Sequence, residues 1–203
     1  MLLFMQGMLL LCWKYAVTDI ETTMAEFNII NIKLSCHLSQ RLDFKLIEDK
    51  FPFLSDHVGV GRIVFRHDKF TFCLMGKENK FLNITGLKCF NDVMNSIRCF
   101  ESFFDPSKIL LQTIKFDSIC AIYSSSSKII NAILCPQDKQ FWIKRYPNIL
   151  SRVNIRPRQP IGLSRGMTAN VFKSGKCLIF GARNLEDVHA FIALIKNSMK
   201  RFK

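Results

Sequence analysis

Apolar residues near the end of the chain recur at helical spacing. Val188, Phe191, Ile192, Ile195 and Met199 fall on one face, the stripe expected of a helix that buries one side. Ahead of it the period changes. Val171-Phe172 and Cys177 to Phe180 are short apolar runs flanking Lys173-Ser174-Gly175-Lys176. That pattern predicts a hairpin, because Gly175 supplies the positive φ of a tight reversal. Gly181-Ala182 reads as the break that ends the second strand. Asn184, with Asp187 three residues on, reads as a helix N-cap. The same series occurs earlier: strand 70–75, turn 76–80, strand 81–84 and a break at Thr85-Gly86-Leu87-Lys88. A stripe of Phe90, Val93, Met94, Ile97, Phe100 and Phe104 follows. Gly86 and Gly181 stand 95 positions apart, which implies two copies of an α+β half-domain rather than a solenoid of small repeats.

The remaining segments fill in each copy. Phe27 to Leu38 reads as a strand, and Leu42, Leu46 and Ile47 as a short helix ended by Phe51-Pro52-Phe53. Val58 to Phe65 is the next strand and His67-Asp68 a turn. The Gly59-x-Gly61 pair lacks the third glycine and the following helix of a phosphate loop. Asp105-Pro106-Ser107 marks the boundary, giving a first copy over 24–104 and a second over 105–203. Ile109 to Ile122 opens the second copy, and Ser124 to Ser127 caps a helix carrying Ile129, Ile130 and Ile133. Residues 1–23 are an apolar extension. The run Met1 to Val17 is interrupted by Gln6 and Lys14 and is short for a membrane span. Its first lysine follows the apolar run, whereas a secretory signal carries positive charge before it. The extension is expected to pack on the core or to precede a start at Met24. Neither a membrane partner nor secretion is expected.

Charge adds a partner class. The chain of 203 residues is long enough for a substantial core, holds 19 Phe and carries a net charge of +13. From Asp105 onward there are 17 basic and 5 acidic residues, against 11 and 9 over 24–104. The second copy therefore carries nearly all of the positive field, which favours a polyanionic partner; the alternative is a basic surface that serves solubility. The eight cysteines include no two within four residues of each other, so no zinc knuckle or dithiol is indicated, and free thiols fit a reducing compartment. Asn83-Ile84-Thr85 is a sequon inside a predicted strand. The four histidines, His37, His57, His67 and His189, are scattered. No catalytic constellation, metal site or cofactor is expected, and Asp43 and Asp49 read as solvated helix charges.

Four stretches of the second copy carry a family resemblance. Tyr146-Pro147-Asn148-Ile149-Leu150-Ser151-Arg152, Val171 to Lys176, Gly181-Ala182-Arg183 and the closing Met199 to Lys203 resemble the second half of the TATA-box-binding protein core. That family has an aromatic-Pro-Gly-Leu-Ile-Tyr-Arg strand, an Ile-Phe-x-Ser-Gly-Lys hairpin and a Thr-Gly-Ala-Lys break before a long helix. More loosely, Asn31 to Phe44 is similar to the family's opening strand. The resemblance spans residues 26–203. Asn148-Ile149-Leu150 departs from the family's Gly-Leu-Ile, and the 156–166 loop is longer than the family's. Such divergence is expected of a viral or fast-evolving parasite protein, acting in the nucleus or at an intracellular site of viral transcription.

The resemblance implies an α+β saddle of two pseudo-symmetric repeats. About ten antiparallel strands would form a curved sheet, with helices over 90–104 and 184–201 on its convex face. It also implies a mechanism, in which apolar side chains wedge between base steps from the minor groove of AT-rich double-stranded DNA and bend it. Carried over by alignment, the wedges are Tyr146 and Phe172 in the second repeat and Val58 and Met75 in the first. Phosphate contacts fall to Arg152, Lys176 and Arg183, with Lys88 at the first-repeat position matching Arg183. Asn31 matches a central minor-groove asparagine whose second-repeat counterpart aligns to Lys115. Thr85 matches a floor-lining threonine, replaced by Phe180 in the second copy. Asp117 is expected on the same strand face as Lys115, where a carboxylate would repel DNA. The partners implied are transcription factors IIA- and IIB-like proteins and the RNA polymerase machinery. The alternative is a protein-interaction module on the same scaffold that has lost groove binding.

Overall fold

A computed structural model of the chain describes residues 27–42, 56–57, 62–75, 80–104, 111–125, 140–145 and 152–200, together with Lys45, Ile47 and Asp49. Its centre is the first strand, β1 (Phe27–Leu38), where residue type alternates with a period of two. Ile32, Leu34, Cys36 and Leu38 are buried on one face, while Lys33, Ser35 and His37 lie on the other. Phe27 and Ile29 are buried too; the register shift between Ile29 and Asn31 is a bulge, which keeps both sets on the same face.

Nine further strands follow: β2 (Asp56–His57), β3 (Arg62–His67), β4 (Phe70–Met75), β5 (Phe81–Leu87), β6 (Leu111–Ser124), β7 (Phe141–Arg145), β8 (Arg152–Pro157), β9 (Thr168–Phe172) and β10 (Lys176–Ala182). They form one curved antiparallel sheet in the order β2-β3-β4-β5-β1-β6-β10-β9-β8-β7. The two long strands β1 and β6 meet at its middle, where Ile32 faces Ile119. In each half the strand after the central one lies at the outer edge, and the following strands return inward to it. Helix α1 (Phe90–Ser102) follows β5 and helix α2 (Leu185–Lys200) follows β10. Both pack on the face that carries the buried side chains.

The two halves fill that face differently. Beneath α1 the core is aromatic: Phe65 stacks on Phe72 at 5.1 Å, and Phe100 of the helix lies 5.7 Å from Phe72. Beneath α2 it is largely aliphatic, with Val171, Ile179, Ile192 and Ile195 around a Phe141–Phe191 pair at 6.1 Å. Leu42 and Ile47 are also buried, and Lys45, Ile47 and Asp49 are helical, as the short helix after β1 requires.

Neither glycine break ends its strand. β5 runs through Gly86 to Leu87 and β10 through Gly181 to Ala182, with φ of 88° and 83° at the two glycines. The positive φ bends the strand instead, and β10 shifts register against β6 between Ile179 and Ala182. A Cβ at Gly86 would come within 2.2 Å of the Lys69 carbonyl oxygen, so the bend presses on the preceding hairpin. β3 extends to His67, beyond the expected end at Phe65, and the turn falls on Asp68 and Lys69. β7 has no counterpart in the sequence reading. The expected strand over 146–151, the 105–107 boundary and the helix over 129–133 lie outside the described residues.

An aspartate at the third position of each helix ties it to the preceding hairpin. Asn184 caps α2, its Oδ1 accepting the Asp187 N–H at 2.7 Å. The Asp187 carboxylate accepts from the Ser164 hydroxyl, which itself accepts the Arg183 N–H at 2.8 Å. In the first half Asp92 accepts from Lys69 Nζ at 2.6 Å and from the Lys88 N–H at 2.8 Å. Burial pushes the Asp92 carboxyl up, but the hydrogen bonds from Lys69 and Lys88 outweigh it and hold the group below its ordinary value of 3.8. A carboxylate with a depressed folded-state value stabilises above the unfolded value and loses that stabilisation as the pH falls through the folded one. The stability gap between wild type and Asp92→Asn should therefore be constant near neutral pH and shrink below 3.8, measured by urea denaturation across the acid range. A gap that does not change with pH would assign the loss to packing rather than charge.

Candidate nucleic-acid interface

Among the described residues nothing packs on the face away from the helices, the uncovered face, and strand alternation decides which side chains reach it. In β9, Val171 is fully buried and Phe172 is half-buried on the opposite side. Phe172 pairs with Arg152 of β8. Met75, the last residue of β4, is likewise half-buried on the uncovered face and pairs with Arg62 of β3. Each hairpin thus ends on an apolar side chain with an arginine across from it. Arg62 is absent from the residues that alignment selects, because nothing local distinguishes it; only the register of β3 against β4 puts it beside Met75. Phe81, 49% exposed, pairs with Met75 from the other side and packs edge-on against His37 at 4.2 Å.

Polar groups line the middle. Asn31 sits at the β1 bulge, and its Oδ1 accepts the Gly86 N–H at 3.2 Å, which holds the side chain against β5. Thr85 pairs with Thr71 on the uncovered face. Lys115 is exposed and pairs with Ser35. The residue that stands to Ile119 as Asn31 stands to Ile32 is Ser118, since register shifts separate Lys115 from the sheet centre. Asp117 does reach this face. Its carboxylate is 3.2 Å from Lys33 Nζ and accepts from the Ser35 hydroxyl at 2.7 Å. A pair this exposed adds little stability, but it cancels a negative charge where the sequence led us to expect repulsion. In the second half Asn154 donates to Asn170 at 3.1 Å on the same face.

Cations surround this strip. Arg66 in the first half, and Lys144, Arg156 and Lys176 in the second, alternate onto the uncovered face and are exposed, apart from the half-buried Arg152 beside Phe172. Lys88 and Arg183 are exposed at the strand-to-helix bends, placed by the Asp92 and Ser164 contacts of their backbones. Val58 and Tyr146 lie outside the described residues.

No protein-family model matches the sequence, and no curated protein matches it. Among solved structures, "Methanococcus jannaschii TBP" is similar over 87% of this chain and 99% of its own length, with a TM-score of 0.67 and 17% identity. The chain has the fold of the TATA-box-binding protein. At that identity the likeness concerns backbone architecture alone. Among the described residues no three His, Cys, Asp or Glu gather as metal ligands, and no helix is long and apolar enough to cross a membrane. Burial, with the Asp117 charge adding to it, pushes the Cys36 thiol up to about 12. Burial alone does the same to Cys177, so both behave as small apolar core residues.

The location of Phe172 has a direct consequence for stability. Phe172→Ala should cost less than Phe72→Ala, because Phe172 is only part-buried on the outer face whereas Phe72 is fully buried in the aromatic core, where truncation costs about 3–5 kcal/mol. Urea denaturation of the two variants measures this; equal losses would put Phe172 in the core.

Proposed function

We propose that the protein is a TATA-box-binding-like transcription initiation factor. It binds AT-rich double-stranded DNA in the minor groove through the uncovered face, bends it, and presents its helices to IIA- and IIB-like factors and the polymerase machinery. The observation that carries this reading is the pairing of an apolar side chain with an arginine at the end of each β-hairpin: Phe172 with Arg152, and Met75 with Arg62. Each pair offers a wedge for a base step and a cation for the adjacent phosphate. Unstacking a step costs on the order of a few kcal/mol, offset by the surface that bent DNA brings into contact. A strip of asparagine, threonine and apolar groups suits the minor groove, where A·T and G·C pairs differ mainly in one donor.

The strand order is the same on either side of the β1–β6 junction, which supports a pseudo-twofold saddle of two repeats, 24–104 and 105–203. Engagement is asymmetric in this reading. The second half holds most of the positive charge and the phenyl ring, while Met75 fills a base step less well. A factor of this kind acts where its promoters are transcribed, in the nucleus or at an intracellular site of viral transcription.

Gel shift against AT-rich and GC-rich duplexes, with bending read by energy transfer between end labels, tests the proposal. The protein should prefer and bend the AT-rich duplex. Phe172→Ala should abolish or sharply reduce the bend, and Met75→Ala should reduce it less. A folded Phe172→Ala variant that bends DNA normally would overturn the wedge, and absence of duplex binding by the parent would favour a protein-interaction module. Lys176→Ala and Arg183→Ala should each flatten the slope of log affinity against log salt by about 0.9. Lys80→Ala should flatten it less, and equal effects in both halves would contradict the asymmetry.

A further inference from the structure

The outer end of the second half carries a cleft of about 570 Å³ on the long connection between β8 and β9. Trp142 of edge strand β7 lies in its wall and is 58% exposed, a large apolar surface left in water. The Arg158 guanidinium sits over the indole, its central carbon 3.9 Å from the ring centroid. That guanidinium is held in place: Arg158 Nε donates to the Phe141 carbonyl at 3.3 Å and the Arg158 N–H to the Gln140 carbonyl at 2.9 Å. Arg156 and Arg165 complete a wall of three arginines with Pro157 and Pro160, and no carboxylate among the described residues lines the cleft.

The connection is anchored at its far side. Ile161 and Ser164 bridge each other, and the Ser164 hydroxyl joins Asp187 and the Arg183 N–H at the start of α2. Gly162 fits only because it lacks a Cβ, which would fall 1.9 Å from Asp187 Oδ1. The arginines therefore project from a fixed frame.

Guanidiniums match phosphate oxygens, and an indole face accepts a flat ring. The two together match a nucleotide whose base is unpaired, since duplex bases are stacked on one another and cannot lie on a side chain. Alternation along β8 puts Arg152, Asn154 and Arg156 on the uncovered face, and Trp142 pairs with Arg156, so the cleft continues that face beyond the sheet. We propose that this cleft binds single-stranded DNA, taking phosphates on Arg156, Arg158 and Arg165 and stacking a base on the exposed side of the Trp142 indole, away from the Arg158 guanidinium that covers its other face. This adds a single-strand site beside the duplex-binding face, and rests on that reading only for the direction from which the strand arrives.

Trp13 is the other tryptophan, so in a Trp13→Phe background the intrinsic fluorescence reports Trp142 alone. Titration with a short oligothymidylate should quench it, and a fully paired duplex of the same length should quench it far less. By anisotropy of a labelled oligonucleotide, Trp142→Ala should weaken single-strand binding about tenfold, and Arg165→Ala should weaken it as well. Duplex bending should survive both changes. Absence of quenching by single strands, with AT-rich duplex still bound and bent, would overturn the cleft and leave the proposed function standing. Quenching without any duplex binding would support the cleft and count against the proposed function. Equal quenching by inorganic polyphosphate, which has no ring to stack, would overturn the assignment to nucleotides.

Discussion

The pairing of β1 with β6 is the contact on which the rest of the molecule depends. It is long, running from Phe27 opposite Tyr123 to Leu38 opposite Leu111, and it joins strands far apart in sequence. Without it each half would be a five-stranded sheet with an unpaired central edge, a template for association with other chains. With it, one continuous sheet presents one face to α1 and α2, while among the described residues nothing packs on the other. The α2 helix reinforces the junction from above, where His189 packs edge-on against Phe27 at 4.9 Å.

A sheet with one covered face divides its residues by parity. Buried Ile32, Leu34, Phe72, Leu74, Val171 and Ile179 supply the hydrophobic stabilisation. Their strand neighbours Lys33, Ser35, Met75, Phe172 and Leu178 lie on the other face, part-buried. The core and the uncovered face are thus encoded by alternate positions of the same strands. That separation lets the uncovered face differ in type, from Met75 and Phe81 in one half to Phe172 and Lys176 in the other, without loss of core packing.

The halves also solve one local problem with different chemistry. A strand that bends through a positive-φ glycine into a helix must be fixed against the hairpin it passes, and an aspartate on the third helical residue does this in both. Asp92 takes a lysine ammonium, which responds to pH, and Asp187 takes a serine hydroxyl that belongs to the long β8–β9 connection. The serine arrangement anchors a loop that the lysine arrangement lacks, and that loop carries the arginine-walled cleft beside Trp142.

Whatever depends on local period and turn chemistry was legible in the sequence. The stripes of α1 and α2, the Lys173 to Lys176 hairpin, the Asn184 cap and the 95-residue echo need only spacing and backbone preference within a few residues. Phe172 could be placed at a hairpin end, though not on a face. The face follows from register, and register follows from pairing between distant strands. Bulges in β1 and β6 shift the register, so Lys115 pairs with Ser35 and Asp117 meets Lys33. Arg62 gained its place beside Met75 in the same way. β7 (Phe141–Arg145) opens on three strand-favouring residues, Phe141, Trp142 and Ile143, but Lys144 and Arg145 follow and the run is too short to mark a strand by period alone. It exists because β8 offers it an edge, and only that edge brings Trp142 under Arg158.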